Sequence, residues 1–290
     1  MPDRVEQSVA RVTLPSFVVC PACHADLDSS ARAIRCTECR REFSLEGAVA
    51  LLFSSTAADD VARVKELYDQ VAHGYDDVFA THVSRHYLDK RLAYVLRLLP
   101  SGGHLLDVGC GTGALAAHLM SQGYQVSGVD VSPGMLAKAA ERGLAAAVAA
   151  FATALPFRDG TFDLALAVAT FHHLDTPLRV ALTVGEMARI VRRGGFVMIW
   201  DHNPLNPYWP ILMHRVPQDT GDERLVPLAE ILADVKAAGL QIVSARRLGF
   251  IPDFVPLTLM PAARLAERIA ERVPLVSDLA AHNVVIAQKM

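Results

Sequence analysis

The stretch Leu105-Leu106-Asp107-Val108-Gly109-Cys110-Gly111-Thr112-Gly113 limits this chain to few folds. The apolar run from Leu105 to Val108 suits a parallel strand covered on both faces. Three glycines at alternate positions remove three β-carbons from one tight turn, so a ligand can lie against the backbone. Ala114 to Met120 then reads as a helix whose unpaired N–H groups face whatever occupies the turn. Alone, such a turn also fits a purely structural strand-to-helix connection. Two acids narrow the choice. Asp107 stands two residues before the first glycine, and Asp130 ends a second strand, Gln125 to Val129, where a carboxylate can accept both hydroxyls of a ribose.

Four segments, taken in order, resemble the class I S-adenosylmethionine (SAM)-dependent methyltransferases, and in particular the type 11 branch that includes the quinone-biosynthesis C-methyltransferases. They are LLDVGCGTG (105–113), VSGVDVSPGML (126–136), ALPFRDGTFDLALAVATFHHL (154–174) and RIVRRGGFVMIW (189–200). The resemblance covers about Val61 to Trp200. It implies an α/β fold, a Rossmann-like seven-stranded doubly wound sheet, with SAM as cofactor. It places the SAM tail and sugar against Asp107, Gly109, Cys110, Gly111 and Gly113, and the ribose on Asp130. Val131 and Met135 are expected at the adenine, with Ala152, Thr153 and Ala169 lining the same site. Tyr68-Asp69 and Tyr75-Asp76 resemble the family's N-terminal YD…YD element, which brings Tyr68 and Tyr75 to the cofactor. One position departs: Phe151 stands where relatives carry an Asp that accepts from the adenine amino group. Thr153 or a backbone carbonyl then has to substitute, or adenine binding weakens by on the order of 1 kcal/mol.

Strand-like runs at 104–109, 125–130, 145–150, 162–168, 195–201, 240–247 and 282–288 alternate with helical patterns, as a doubly wound sheet requires. The last strand is expected to run antiparallel, as in the resembled family. Helices are predicted over His86 to Leu99, around Pro227 to Ala238, and over Ala262 to Val273. The last is expected to expose Arg264, Glu267, Arg268, Glu271 and Arg272. Residues 54–58 read as a linker, with Asp59 or Asp60 capping a helix through Val61, Val64, Leu67, Tyr68 and Val71. The implied organisation is a ribbon over 1–53, a helical cap over 54–100 and a SAM-binding core over 101–290.

Four of the five cysteines form two C-x-x-C pairs, Cys20/Cys23 and Cys36/Cys39, separated by 12 residues. Two such knuckles close one tetrahedral Cys₄ zinc site, and four thiolates leave no open position, so the metal is structural. A redox pair is the alternative use; without secretory context, disulfides are the lesser one. Together with the segment to Phe53, the pattern resembles the small zinc-ribbon proteins that partner methyltransferases. It also resembles the ribbon of the ribosomal guanine methyltransferases, which takes part in RNA recognition. Between Cys20 and Phe53, Arg32, Arg35, Arg40 and Arg41 face Asp26, Asp28, Glu38, Glu42 and Glu46. That mixed surface, like the net charge of −3, argues against an RNA-binding face.

Histidines follow two strand ends. His172 and His173 come after the fourth core strand and His202 after the fifth, where open α/β sheets place their ligands. Each is a candidate general base for methyl transfer, with a pocket-lining role as the alternative. Two apolar segments, about 203–226 and 249–273, contain the runs 204–213 and 250–261, whose prolines are expected to stiffen them and stop regular helix; the segments are candidate walls for a greasy acceptor, or contacts with a membrane or a partner. No apolar run is long enough to span a membrane and no signal-peptide layout opens the chain, so a cytoplasmic protein is expected. The sequence reading is a SAM-dependent methyltransferase acting on a hydrophobic or aromatic small molecule, such as a quinone-like, lipid-linked or secondary metabolite; a homodimer is compatible with it. An RNA guanine methyltransferase and a non-catalytic SAM-fold partner protein are the rivals.

Overall fold

The computed structural model describes residues 13–29, 33–53, 68–72, 74–78, 80–215 and 223–290. The predicted linker, its capping acids, the helix residues Val61, Val64 and Leu67, Arg32, and part of the 203–226 segment lie outside these.

The described residues form eleven strands: β1 (Leu27–Asp28), β2 (Ile34–Cys36), β3 (Glu42–Glu46), β4 (Val49–Leu51), β5 (His104–Val108), β6 (Gln125–Asp130), β7 (Ala146–Ala149), β8 (Phe162–Val168), β9 (Val191–His202), β10 (Leu240–Leu248) and β11 (His282–Lys289). Their order is β1-β2-β3-β4-β7-β6-β5-β8-β9-β11-β10. The seven from β5 onward match the predicted strands, except that β9 begins earlier, at Val191. β5 to β9 are parallel, and β11 runs antiparallel between β9 and β10. The helices are α1 (Thr81–Leu98), α2 (Ala114–Met120), α3 (Pro133–Glu141), α4 (Pro177–Ile190), α5 (Trp209–Met213), α6 (Leu228–Ala237) and α7 (Met260–Ala270). None is long and apolar enough to cross a membrane.

Two-residue alternation explains why the core is split by the sheet. Leu106, Val108, Val129 and Ala165 pack on one face with Val184 and Met187 of α4. Leu105, Val126, Leu164 and Leu166 pack on the other with Val95 of α1 and Leu115 and Leu119 of α2. β5 lies between β6 and β8, so the strand order reverses there. The loops leaving β5, β6, β8 and β9 therefore open a crevice at their C-terminal ends.

The cysteine-bearing segment is joined to this sheet. Gly47, at φ +59°, turns β3 into β4, and β4 pairs in parallel with β7 through Ala50–Val148 and Leu51–Ala149. Val18, Ile34, Cys36 and Phe43 are buried in the same core as the main sheet.

Two expectations fail in the C-terminal half. The prolines of the apolar segments do not prevent helix: Pro210 and Pro261 each occupy the first turn of one, α5 and α7, where the missing N–H costs nothing. And Glu267 is buried, not exposed. Its carboxylate meets His86 Nε2 at 2.8 Å and Lys90 Nζ at 2.9 Å, and accepts from Phe250 N. α7 is thus turned so that its acid faces α1 while Leu265 and Ile269, 60% and 55% exposed, face outward.

Burial alone would raise the Glu267 carboxyl, but His86, Lys90 and Phe250 N pull it from 4.5 down to about 2. A carboxyl lowered on folding stabilises fully above its unfolded value and loses that contribution as pH falls toward the folded one. Wild type should exceed Glu267→Gln by about 3 kcal/mol in urea unfolding near neutral pH. The difference should shrink on acidification below pH 4.5. A difference independent of pH would remove the carboxylate charge from the account.

Candidate functional site

The turn after β5 keeps its shape through its backbone. Gly109 N and Cys110 N both donate to Val129 O, at 2.8 and 3.1 Å. Gly109, Gly111 and Gly113 have φ of 72°, 52° and 77°. A β-carbon on Gly109 would come within 2.4 Å of Thr170 Oγ1, and one on Gly113 within 3.0 Å of Ala139. At Gly111 the nearest atom would be Tyr75 Cε1, 3.8 Å away. Two glycines are therefore demanded by packing, while the middle one borders open space.

Asp130, at the end of β6, faces that space. It accepts from Gly111 N at 2.8 Å and from Ser132 N at 3.0 Å, which leaves lone pairs for further donors. Burial raises its carboxyl and these N–H bonds draw it back. Asp107 lies deeper, 3% exposed; burial pushes it up to about 7 against the pull of Arg91. Val131 is half-buried, and Met135 is fully packed inside α3.

The YD residues close over the turn. Asp69 Oδ1 accepts from Ser132 Oγ at 2.5 Å and from Gly134 N at 2.8 Å, pinning this segment to the start of α3. Asp76 accepts from Thr112 Oγ1 at 2.6 Å and pairs with Arg142. Although burial opposes it, those two partners hold Asp76 below the usual carboxylate range. Tyr68 Oη lies 2.8 Å from His173 Nε2, and Tyr75 stands over Gly111. The anchoring acids, Asp69 and Asp76, were not among the predicted site residues; their place in the YD pairs was the available signal.

Phe151, the position that departs from the family, packs on Phe53 at 5.2 Å between ring centroids. Ala152 and Thr153 follow, both half-buried. Ala169, after β8, has φ +52°, a left-handed conformation costly for a residue with a β-carbon. Its N–H donates to Trp200 O at 2.9 Å.

Two of the three candidate histidines, His172 and His202, meet Asp201, the penultimate residue of β9, and His173 lies against His172 with 3.9 Å between ring centroids. Asp201 Oδ2 accepts from Thr170 N at 2.7 Å and Phe171 N at 2.6 Å, and Oδ1 from His202 N at 2.8 Å. His172 Nδ1 lies 3.0 Å from Oδ1, and His202 Nδ1 lies 2.7 Å from His172 Nδ1. Burial favours protonated Asp201, but His172, His202 and the backbone donors overcome it and keep the group ionised. Burial and the neighbouring His172 drive His202 well below the ordinary imidazole value, so its ring is neutral at pH 7, while His173 is exposed. His202 packs edge-on to Trp209 at 3.6 Å, and His282 lies beyond at 6.0 Å. Sequence reasoning missed Asp201 and Trp209 as members of this cluster; an acid next to a strand-end histidine was the signal for the first.

The four cysteines converge separately. Cys20 and Cys39 sulfurs are 3.7 Å apart and those of Cys23 and Cys36 3.4 Å, all four within 4.8 Å. Tetrahedral thiolates about 2.3 Å from one zinc have such separations. Both knuckles have the same frame: Cys20 N donates to Ala25 O and Cys36 N to Arg41 O, each at 2.9 Å. His24 and Arg40, which follow the second cysteines, are both left-handed at φ 58° and 59°.

Residues 106–199 match a family model described as a methyltransferase domain. Over 148 residues the chain is 32% identical to the tRNA (carboxymethyluridine(34)-5-O)-methyltransferase of Arabidopsis thaliana, covering 50% of this chain and 36% of that one. Over 165 residues it is 29% identical to the ubiquinone biosynthesis O-methyltransferase of Burkholderia thailandensis, covering 52% and 70%. The chain thus spans little more than a third of the Arabidopsis relative. A solved SAM-dependent methyltransferase from Thermotoga maritima shares the fold, with a TM-score of 0.57 and 21% identity over 78% of this chain and all of that one. The matched segment runs from β5 to β9, the strands whose ends build the glycine turn and lead to the histidine cluster, and over these residues the chain carries a methyltransferase domain.

Proposed function

We propose that the chain transfers a methyl group from SAM to a hydrophobic or aromatic small molecule. The observation that carries this reading is the wall beside the histidines. Trp209, Leu212 and Met213 of α5 form a small buried apolar cluster with Val78 and Tyr208 next to His202, surroundings suited to a ring and poorly suited to a phosphate backbone. Charges of the cysteine segment are partly paired: Arg35 pairs with Glu42, and Asp26 pairs with Arg158.

The residues present fit the cofactor. Gly111 places no β-carbon between the turn and Tyr75, and Asp130 has carboxylate lone pairs for the ribose hydroxyls. Tyr68 and Tyr75 close the turn from above, and Phe151 with Phe53 bounds the adenine side, where Thr153 or a backbone carbonyl replaces the family's carboxylate. When bound, SAM supplies an electrophilic methyl on a sulfonium. The protein's part is to align an acceptor with that methyl, exclude water and receive the acceptor's proton at the histidine cluster. Cys20, Cys23, Cys36 and Cys39 hold a structural zinc, which offsets the small core of their segment.

Asp130→Asn should weaken binding of the demethylated cofactor by roughly 30-fold, about 2 kcal/mol, measured by calorimetry. Unchanged affinity would take the ribose off Asp130. For the acceptor, the purified chain is incubated with methyl-labelled SAM and either a panel of phenols and hydroquinones or bulk tRNA. Label should appear in the organic extract; label confined to tRNA would overturn the small-molecule reading in favour of RNA.

A further inference from the structure

We propose that His172 Nδ1, His202 Nδ1 and Asp201 Oδ1 are the three protein ligands of a divalent transition-metal site. The three atoms stand 2.7, 3.0 and 3.6 Å apart. Each neutral imidazole carries one N–H. If only His172 is protonated at Nδ1, that hydrogen serves two acceptors at once. If only His202 is, the lone pair of His172 points at a carboxylate oxygen. If both are, two N–H groups collide. With both hydrogens on Nε2, the three ligand atoms all offer lone pairs within one small group. A triangle of these sides has a point about 2.1 Å from every corner, the length of a zinc–imidazole or zinc–carboxylate bond.

The carboxylate completes the accounting. Thr170 N and Phe171 N occupy Oδ2, and His202 N takes one lone pair of Oδ1. One lone pair remains for a metal. Backbone donors also fix the Asp201 rotamer, as outer partners do at metal centres. Two imidazoles and one carboxylate on a single side suit zinc, iron(II) or cobalt(II) better than magnesium, and leave positions open for exogenous oxygen.

The consequence rests on the methyltransferase reading and sharpens it: the acceptor atom is oxygen, on a phenol, an enol or a carboxylic acid. Coordination acidifies the acceptor, whose proton passes to His173, the histidine of the cluster that is not a ligand. An oxygen lone pair then forms the C–O bond as the C–S bond breaks and sulfur keeps the electron pair. The test strips the full chain with a chelator and titrates it with cobalt(II). A site of nitrogen and oxygen ligands should fill without thiolate-to-metal charge transfer, separately from the cysteine site. His202→Gln and His172→Gln should each lose that filling while keeping the wild-type melting profile and any thiolate-bound cobalt. Cobalt bound by the cysteines alone, or a nitrogen–oxygen signal that survives both substitutions, overturns the proposal. Calorimetry with the demethylated cofactor on the same samples separates this from failure of the methyltransferase reading: cofactor binding without the second metal sinks only the metal site.

A different observation supports a second inference: the outward face of α7 and its flanks docks on an anionic lipid bilayer. Phe254, Leu257, Leu259, Leu265, Ile269 and Leu275 are all more than half exposed, on one helix and its adjoining loops. The charges beside them are exposed Arg264, Arg268 and Arg272, whereas Glu267 and Glu271 turn inward to Lys90. An apolar stripe edged by arginine complements an acidic lipid surface; a second copy of the same face would set arginine against arginine. The full chain should sediment with phosphatidylglycerol vesicles and far less with phosphatidylcholine. The doubly substituted Leu265→Ser, Ile269→Ser chain, checked for an unchanged melt, should bind about tenfold more weakly or less. No binding to phosphatidylglycerol, or a concentration-dependent dimer abolished by the same pair, overturns it.

Discussion

Two carboxylates at strand ends organise the crevice. Asp130, closing β6, fixes Gly111 and Ser132 by their N–H groups, which sets the path of the glycine turn and the start of α3. Asp201, near the end of β9, holds Thr170, Phe171 and His202 in the same way. Thr170 in turn presses on Gly109 and donates to Val108 O, so the two lips of the crevice share one seam. Buried carboxylates are tolerable because several N–H donors satisfy each one. Removing either would free a loop and leave several buried donors unpartnered at once.

Much of this was legible in the sequence. The parallel strands announce themselves as continuous apolar runs, and the glycine turn with Asp107 and Asp130 marks the reversal point of the sheet. What was not legible depends on partners distant in the chain. Periodicity identifies α7 as amphipathic but does not say which face turns inward. His86 and Lys90, some 180 residues earlier, attract Glu267 and thereby expose Leu265 and Ile269. Likewise, the run 41–53 reads as the end of a ribbon, and nothing local says that β4 pairs with β7. At the site, spacing located His172 and His202 near strand ends; their meeting on Asp201 is a product of β8 and β9 lying side by side.

The Phe at position 151 also makes sense only in three dimensions. Its ring packs on Phe53, the residue that ends the cysteine-bearing segment, just beyond the pairing of β4 with β7. An aspartate there would meet the ring of Phe53, whereas the phenyl ring of Phe151 joins two parts of the fold. Through Leu52 N, which donates to Ala149 O at 2.7 Å, the same contact reaches the loop holding Ala152 and Thr153. The cysteine-bearing strands β1 to β4 are thus mechanically continuous with that loop, and order in the small segment and order at the end of β7 are one property of the sheet.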